Sequence, residues 1–110
     1  MTADDFRRIA LAMDGAIESA HMSHPDFRAN GRIFATIYPD SKRGMVKLTP
    51  DVQREYLRAH PTMFEPESGA WGKQGCTTVL LAAADPTTVR AAMTHAWRNT
   101  AKKSVRSKRR

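Results

Sequence analysis

The sequence predicts an α+β fold, an antiparallel sheet packed with three helices, and three observations predict it. Apolar residues recur at helical spacing at both ends of the chain and at a period of two in the stretches between. Thr49-Pro50 and Asp85-Pro86 each set a capping side chain before a proline, the residue that opens a helix without leaving an amide unsatisfied. The chain has 110 residues, enough for one hydrophobic core and too few for two ordinary domains.

The first helix is expected over residues 3–20. Thr2 and Asp5 stand at capping-box spacing, so their side chains can satisfy free amides at the helix start. Phe6, Ile9, Met13, Ala16, Ile17 and Ala20 then define one apolar stripe, while Arg7, Arg8, Asp14 and Glu18 fall largely outside it as a solvated face. Gly15 interrupts the stripe, at a cost of only about 1 kcal/mol relative to Ala. The end is expected between His21 and His24, ahead of Pro25.

From Phe27 onward the period shortens. Ile33, Ala35 and Ile37 alternate with Phe34, Thr36 and Tyr38, a strand over 32–38 with apolar groups on both faces. The turn Pro39-Asp-Ser-Lys-Arg-Gly44 returns the chain as a second strand over 44–48, making a hairpin. A short amphipathic helix over 50–60 follows, with Val52, Tyr56 and Leu57 inward and Pro61 as its stop. Residues 61–75 hold Pro61, Pro66, Gly69, Gly72 and Gly75 and are expected to be mainly irregular, with a short strand around Met63 to Glu65. Thr77, Val79 and Leu81 alternate with Cys76, Thr78 and Leu80 in a strand over 76–82. The last helix, over 86–103, buries Val89, Ala92, Met93, Ala96 and Trp97.

Charge is concentrated at one end. The net charge is +7, and the segment Lys102-Lys-Ser-Val-Arg-Ser-Lys-Arg-Arg110 supplies six positive residues and no acid. Residues 1–103 are therefore read as a domain and 104–110 as a basic tail. Phosphate attraction through Lys102, Lys103, Arg106, Lys108, Arg109 and Arg110 is one reading of this segment and a solubilising role is another. A membrane is the weaker partner, because no apolar face accompanies the charge. No apolar run is long enough to span a bilayer, no secretory leader pattern follows Met1, and a single cysteine, Cys76, excludes an internal disulfide. These features fit a cytoplasmic protein with a small buried thiol.

The chemical motifs are mostly negative. There is no Walker loop, dinucleotide fingerprint, nucleophile elbow or HExxH pair. His21 and His24 are three apart without a third ligand, and Asp4-Asp5 and the pair Glu65 and Glu67 lack any sign of unequal environments, so neither a catalytic centre nor a metal or organic cofactor is expected. Gly69-Ala-Trp-Gly-Lys-Gln-Gly75 is the exception worth weighing. Trp71 beside Lys73 in a glycine-rich segment suits stacking on a base while neutralising phosphate, or else Trp71 anchors the loop in the core.

At Gly31-Arg-Ile-Phe-Ala35, Met45-Val-Lys-Leu48, Gly69-Ala-Trp-Gly-Lys-Gln-Gly-Cys-Thr-Thr-Val79 and Ala96-Trp97 the chain resembles the MmcQ/YjbR-like family, over about residues 4–103. The resemblance implies the order helix, three strands, helix, two strands, helix, related in shape to secretion-chaperone-like folds. It also implies DNA binding without enzymatic activity, a role assigned to the family largely from its fold. Many members carry an Asn-Lys-Lys/Arg-His-Trp run before the later strand. Here that stretch reads Gly72-Lys73-Gln74-Gly75-Cys76, which keeps the central Lys73 and lacks the Asn, His and Trp types. The expectation is a DNA-binding protein using the tail, Trp71 and Lys73. The alternatives are a protein-interaction domain in which Trp71 docks a peptide, and an enzyme whose site the sequence does not reveal.

Overall fold

The computed structural model describes residues 1–108, with side chains described as far as Ala101. The chain runs through α1 (Ala3–Leu11), β1 (Ile17–His21), β2 (His24–Ala29), β3 (Arg32–Ile37), β4 (Arg43–Lys47), α2 (Pro50–Ala59), β5 (Phe64–Pro66), α3 (Gly69–Lys73), β6 (Cys76–Leu80), a single 3-10 turn (Leu81–Ala83) and α4 (Pro86–Lys108). The six strands form one sheet in the order β1-β2-β3-β4-β6-β5, and every neighbouring pair is antiparallel. The predicted α+β architecture, an antiparallel sheet flanked by helices, is the one observed.

The local start signals act as the residues dictate. Thr2 and Asp5 close a reciprocal capping box on α1. Thr49 caps α2 ahead of Pro50, and Asp85 accepts from the Thr88 amide at the start of α4. The hairpin at 32–48, the short strand after Pro61 and the strand from Cys76 also lie where periodicity places them.

The N-terminal stretch differs from the expectation. The first helix ends at Leu11 rather than residue 20, and residues 17–21 form β1. Phe6, Ile9 and Ala10 are buried, and Met13 and Ala16 pack against the core, but Ile17 is 61% exposed and all of β1 faces solvent. Gly15 adopts φ +72°, a left-handed conformation that reverses the chain and lets residues 17–29 return as a hairpin. Four strands therefore precede α2 where three were expected, and His21 and His24 flank a hairpin turn rather than end a helix. Residues 69–73, expected to be irregular, make the single turn α3, the strand expected to reach residue 82 stops at Leu80, and α4 continues through Lys108 beyond residue 103.

The sheet register sorts the side chains by face. Gly44 lies beneath the Phe6 ring so closely that a Cβ there would meet ring carbons at 2.7 Å, which fixes the face that receives α1. Ile37 and Val79 flank Gly44 across the sheet and so share its face, and alternation along β3 and β4 adds Ala35 and Val46. Phe64, opposite Val79, meets Tyr56 of α2 edge-on, and Tyr56 in turn meets His95 of α4. Val89, Ala92, Met93 and Ala96 of α4 complete this core. The other face carries the row Asp26, Thr36, Met45 and Thr78, each less than 10% exposed.

Candidate functional site

A basic aromatic cleft of about 430 Å³ opens where the ends of β3 and β4, the start of α2, the single turn α3 and the later part of α4 converge. Its lining includes Arg32, Lys47, Trp71, Gln74, Asn99 and Thr100, and no Asp or Glu. Trp71 is 61% exposed, so it presents its indole to solvent rather than anchoring the segment in the core. The Lys47 ammonium lies 5.9 Å from the centre of that ring, within the range at which a cation is attracted by the π face. Among the described residues Arg32, Lys47 and Lys73 form no salt bridge, whereas Arg7, Arg8, Arg28, Arg43 and Arg54 are each paired with a carboxylate.

The backbone around Trp71 is held by close approaches that only glycine permits. A Cβ on Gly72 would stand 1.8 Å from the Glu67 carbonyl oxygen, and one on Gly75, at φ +108°, would stand 2.0 Å from the Leu48 oxygen. The buried Gln53 amide of α2 donates to the carbonyls of Gly72 (3.1 Å) and Cys76 (3.0 Å), tying α3 to the sheet from beneath. On the opposite wall Asn99 donates to the Lys47 carbonyl (2.9 Å) and Asn30 to the Thr100 hydroxyl (3.0 Å). These bonds satisfy Gln53 and Asn99, and what remains free of hydrogen-bonded partners at the cleft is the indole, the cations and the Gln74 amide.

Sequence reasoning selected Trp71 and Lys73, and the structure places both exposed on α3. Only Trp71 lines the cleft. Arg32 and Lys47 were missed because they join Trp71 at one cleft only through sheet topology, with β3, β4 and β6 side by side. The side chains of Lys102, Lys103, Arg106 and Lys108, and all of Arg109 and Arg110, lie outside the described residues. Cys76 lies in the cleft wall as a buried thiol whose pKa burial pushes up, the opposite of an activated nucleophile.

Two polar clusters occupy the second face of the sheet. The fully buried Asp26 carboxylate accepts from Arg28 (2.8 and 3.1 Å) and bonds the His21 imidazole (2.6 Å). The Arg28 hydrogen bonds hold its pKa below the ordinary carboxylate value, against the opposing effect of burial. Farther across, Glu67 accepts from the hydroxyls of both Tyr38 and Thr78, and the Arg43 guanidinium sits 4.5 Å from the Tyr38 ring centre. Burial first, and then the Glu67 carboxylate, push the Tyr38 phenol up to about 12. Among the described residues no group of three His, Cys, Asp or Glu side chains could hold a metal ion, and no helix is long and apolar enough to cross a membrane.

Fold and cleft together describe a small α+β domain with one six-stranded antiparallel sheet, a helix-packed face and a basic, carboxylate-free aromatic cleft at the sheet's end. The YjbR family model matches residues 11–99, and the chain belongs to that family. A crystal structure of the Deinococcus radiodurans protein DR2400, a DUF419 family-model domain, superposes with a TM-score of 0.77 at 20% identity, covering 94% of this chain and 80% of that one. The likeness extends to the fold. No curated protein matches the chain.

Proposed function

We propose that the protein binds DNA without catalysing a reaction, seating an unpaired base against Trp71 while Arg32, Lys47 and Lys73 neutralise neighbouring phosphates. The observation that carries this reading is an exposed indole on the rim of a cleft that holds two unpaired cations and no carboxylate. A carboxylate-free cleft favours an anion, and an indole stacks on any base. The basic residues Lys102, Lys103, Arg106, Lys108, Arg109 and Arg110 add sequence-independent attraction to the phosphate backbone. On this reading no metal or organic cofactor takes part, and the protein works in the cytoplasm.

Affinity for duplex DNA, single-stranded DNA and RNA, titrated over salt, tests the proposal with the intact chain, a truncation after Ala101, Trp71→Ala and Lys47→Ala. Truncation is expected to flatten the salt dependence for all three ligands, since fewer counterions are released. Trp71→Ala is expected to weaken single strands selectively, by about 1 to 3 kcal/mol for one stacked base. Negligible binding of all three at low salt would overturn the nucleic-acid reading and leave peptide docking at Trp71 in first place.

A further inference from the structure

We propose that β1 is a pairing edge for a second copy of this chain, joining two six-stranded sheets into one antiparallel sheet about a two-fold axis at Ser19. β1 is the edge strand on the far side of the sheet from β6 and β5, so pairing there does not depend on nucleic-acid binding at Trp71.

The main-chain groups of β1 are assigned by its partner. Ala20 lies opposite Pro25, and proline has no amide, so this must be a non-hydrogen-bonded pair of the β1–β2 ladder. Alternation then makes Ile17–Arg28, Ser19–Asp26 and His21–His24 the bonded pairs and Glu18–Phe27 the other non-bonded one. The two-residue turn Met22-Ser23, with φ of 51° and 70°, closes on His21–His24 and requires the same assignment. The amides and carbonyls of Glu18 and Ala20 therefore point away from β2, off the edge of the sheet. All five residues of β1 are exposed, and among the described residues no further strand pairs with it.

The other edge of the sheet is protected. β5 has three residues and ends in Pro66. β1 has five, with no proline, lysine or bulge in its own run.

A two-fold axis perpendicular to a sheet keeps each residue on its own face, so odd-numbered positions of β1 can oppose only odd ones. Centring the axis on Ser19 opposes Ile17 to His21 of the second copy and Glu18 to its Ala20. The four outward groups of each strand are then all used, in two Glu18–Ala20 bonded pairs, and the two Ser19 side chains meet at a close non-bonded position suited to a hydroxyl–hydroxyl bond. Centring on Glu18 would oppose two carboxylates. Centring on Ala20 would bring Glu18 against Met22, which lies in the left-handed turn. In the favoured register the Glu18 charge is already answered by Arg7 at 3.1 Å, so no unpaired like charges face each other.

Sedimentation equilibrium of the full chain at low to near-millimolar concentration, with amide exchange read residue by residue, provides the test. Reversible dimerisation is expected, with the Glu18 and Ala20 amides gaining protection as concentration rises. Ala20→Pro removes a donor that β2 does not use, and is expected to weaken self-association at least tenfold while the fold, read by circular dichroism, is retained. Ser19→Lys, which opposes two ammonium groups, provides the second variant and is expected to do the same. A chain that stays monomeric throughout, or a dimer indifferent to both substitutions and without protection at Glu18 and Ala20, would overturn the proposal.

Discussion

The two faces of the sheet are closed by different means. One face is covered by helices and held by apolar contact, with Phe6 over Gly44, Phe64 against Tyr56, and α4, which buries Val89, Met93 and Ala96, packed on β3 and β4. The other buries a row of mostly polar residues, roofed by hydrogen-bonded side chains such as Arg28, His21, Tyr38 and Glu67. Apolar packing is non-directional and scales with buried area, whereas a polar network stabilises only while every member is satisfied. Damage to the first face should therefore be large and graded, and damage to the second smaller and dependent on protonation.

The strongest test of that contrast is Phe6→Ala, expected to lower unfolding free energy by about 3 to 5 kcal/mol in denaturant titrations through the cavity left over β4. Gly44→Ala should cost about 1 to 3 kcal/mol by overpacking, because its Cβ would meet the Phe6 ring. Both effects act through one contact, so the double variant is expected to cost less than their sum. If the two costs simply add, Phe6 and Gly44 do not form the keystone of this face.

On the second face, Asp26→Ala is expected to cost about 2 kcal/mol, since it strands a cation that keeps partial access to water. Asp26 also makes this face sensitive to acid. Its folded pKa lies below the ordinary 3.8, so its contribution is fully present above that value and is lost as pH falls through the lowered one. Acid titration of unfolding free energy should show that slope in the native chain and a flatter one in Asp26→Ala. Tyr38→Phe is milder, at about 1 kcal/mol, because Glu67 retains the Thr78 donor.

The smallest effect is expected at Trp71. Trp71→Ala should leave stability within about 0.5 kcal/mol, as for a surface residue away from packing. Trp97 offers the contrast: it packs against the core and its indole N–H donates to the Asp14 carbonyl at 2.8 Å, so Trp97→Ala should cost about 3 kcal/mol. Equal costs for the two tryptophans in thermal or denaturant unfolding would contradict the contrast between an exposed Trp71 and a packed Trp97.

Much of this architecture is legible along the chain because its signals are local. Capping pairs at Thr2 and Asp5, Thr49 and Asp85 act within one turn, and the hairpin at 32–48 announces itself by alternation between two buried faces. β1 escaped for the opposite reason. An exposed edge strand has no buried side to impose a period of two, and Met13, Ala16, Ile17 and Ala20 happen to extend the helical spacing of the real helix before them. The bulge opposite Phe27 and Arg28 lies in β3, where Phe34 is the extra residue, so it interrupts the alternation of β3 between Ile33 and Ala35. At the cleft, Trp71 was recognisable as an aromatic in a glycine-rich segment, but Arg32 and Lys47 came to share its cleft only when β3, β4 and β6 were laid side by side.

The amide of Gln53 has a consequence for the timing and entropy of whatever meets Trp71. A helix of five residues such as α3 cannot persist by its own hydrogen bonds, because nucleation costs more than one turn returns. Gln53 supplies the missing restraint through Gly72 and Cys76, from a position that no ligand in the cleft would touch. Conformational freedom at α3 is thus surrendered during folding, and an incoming molecule is spared that loss. Gln53→Ala should leave every residue of the cleft chemically intact and yet shorten the residence of its occupant, a loss of preorganisation rather than of contact.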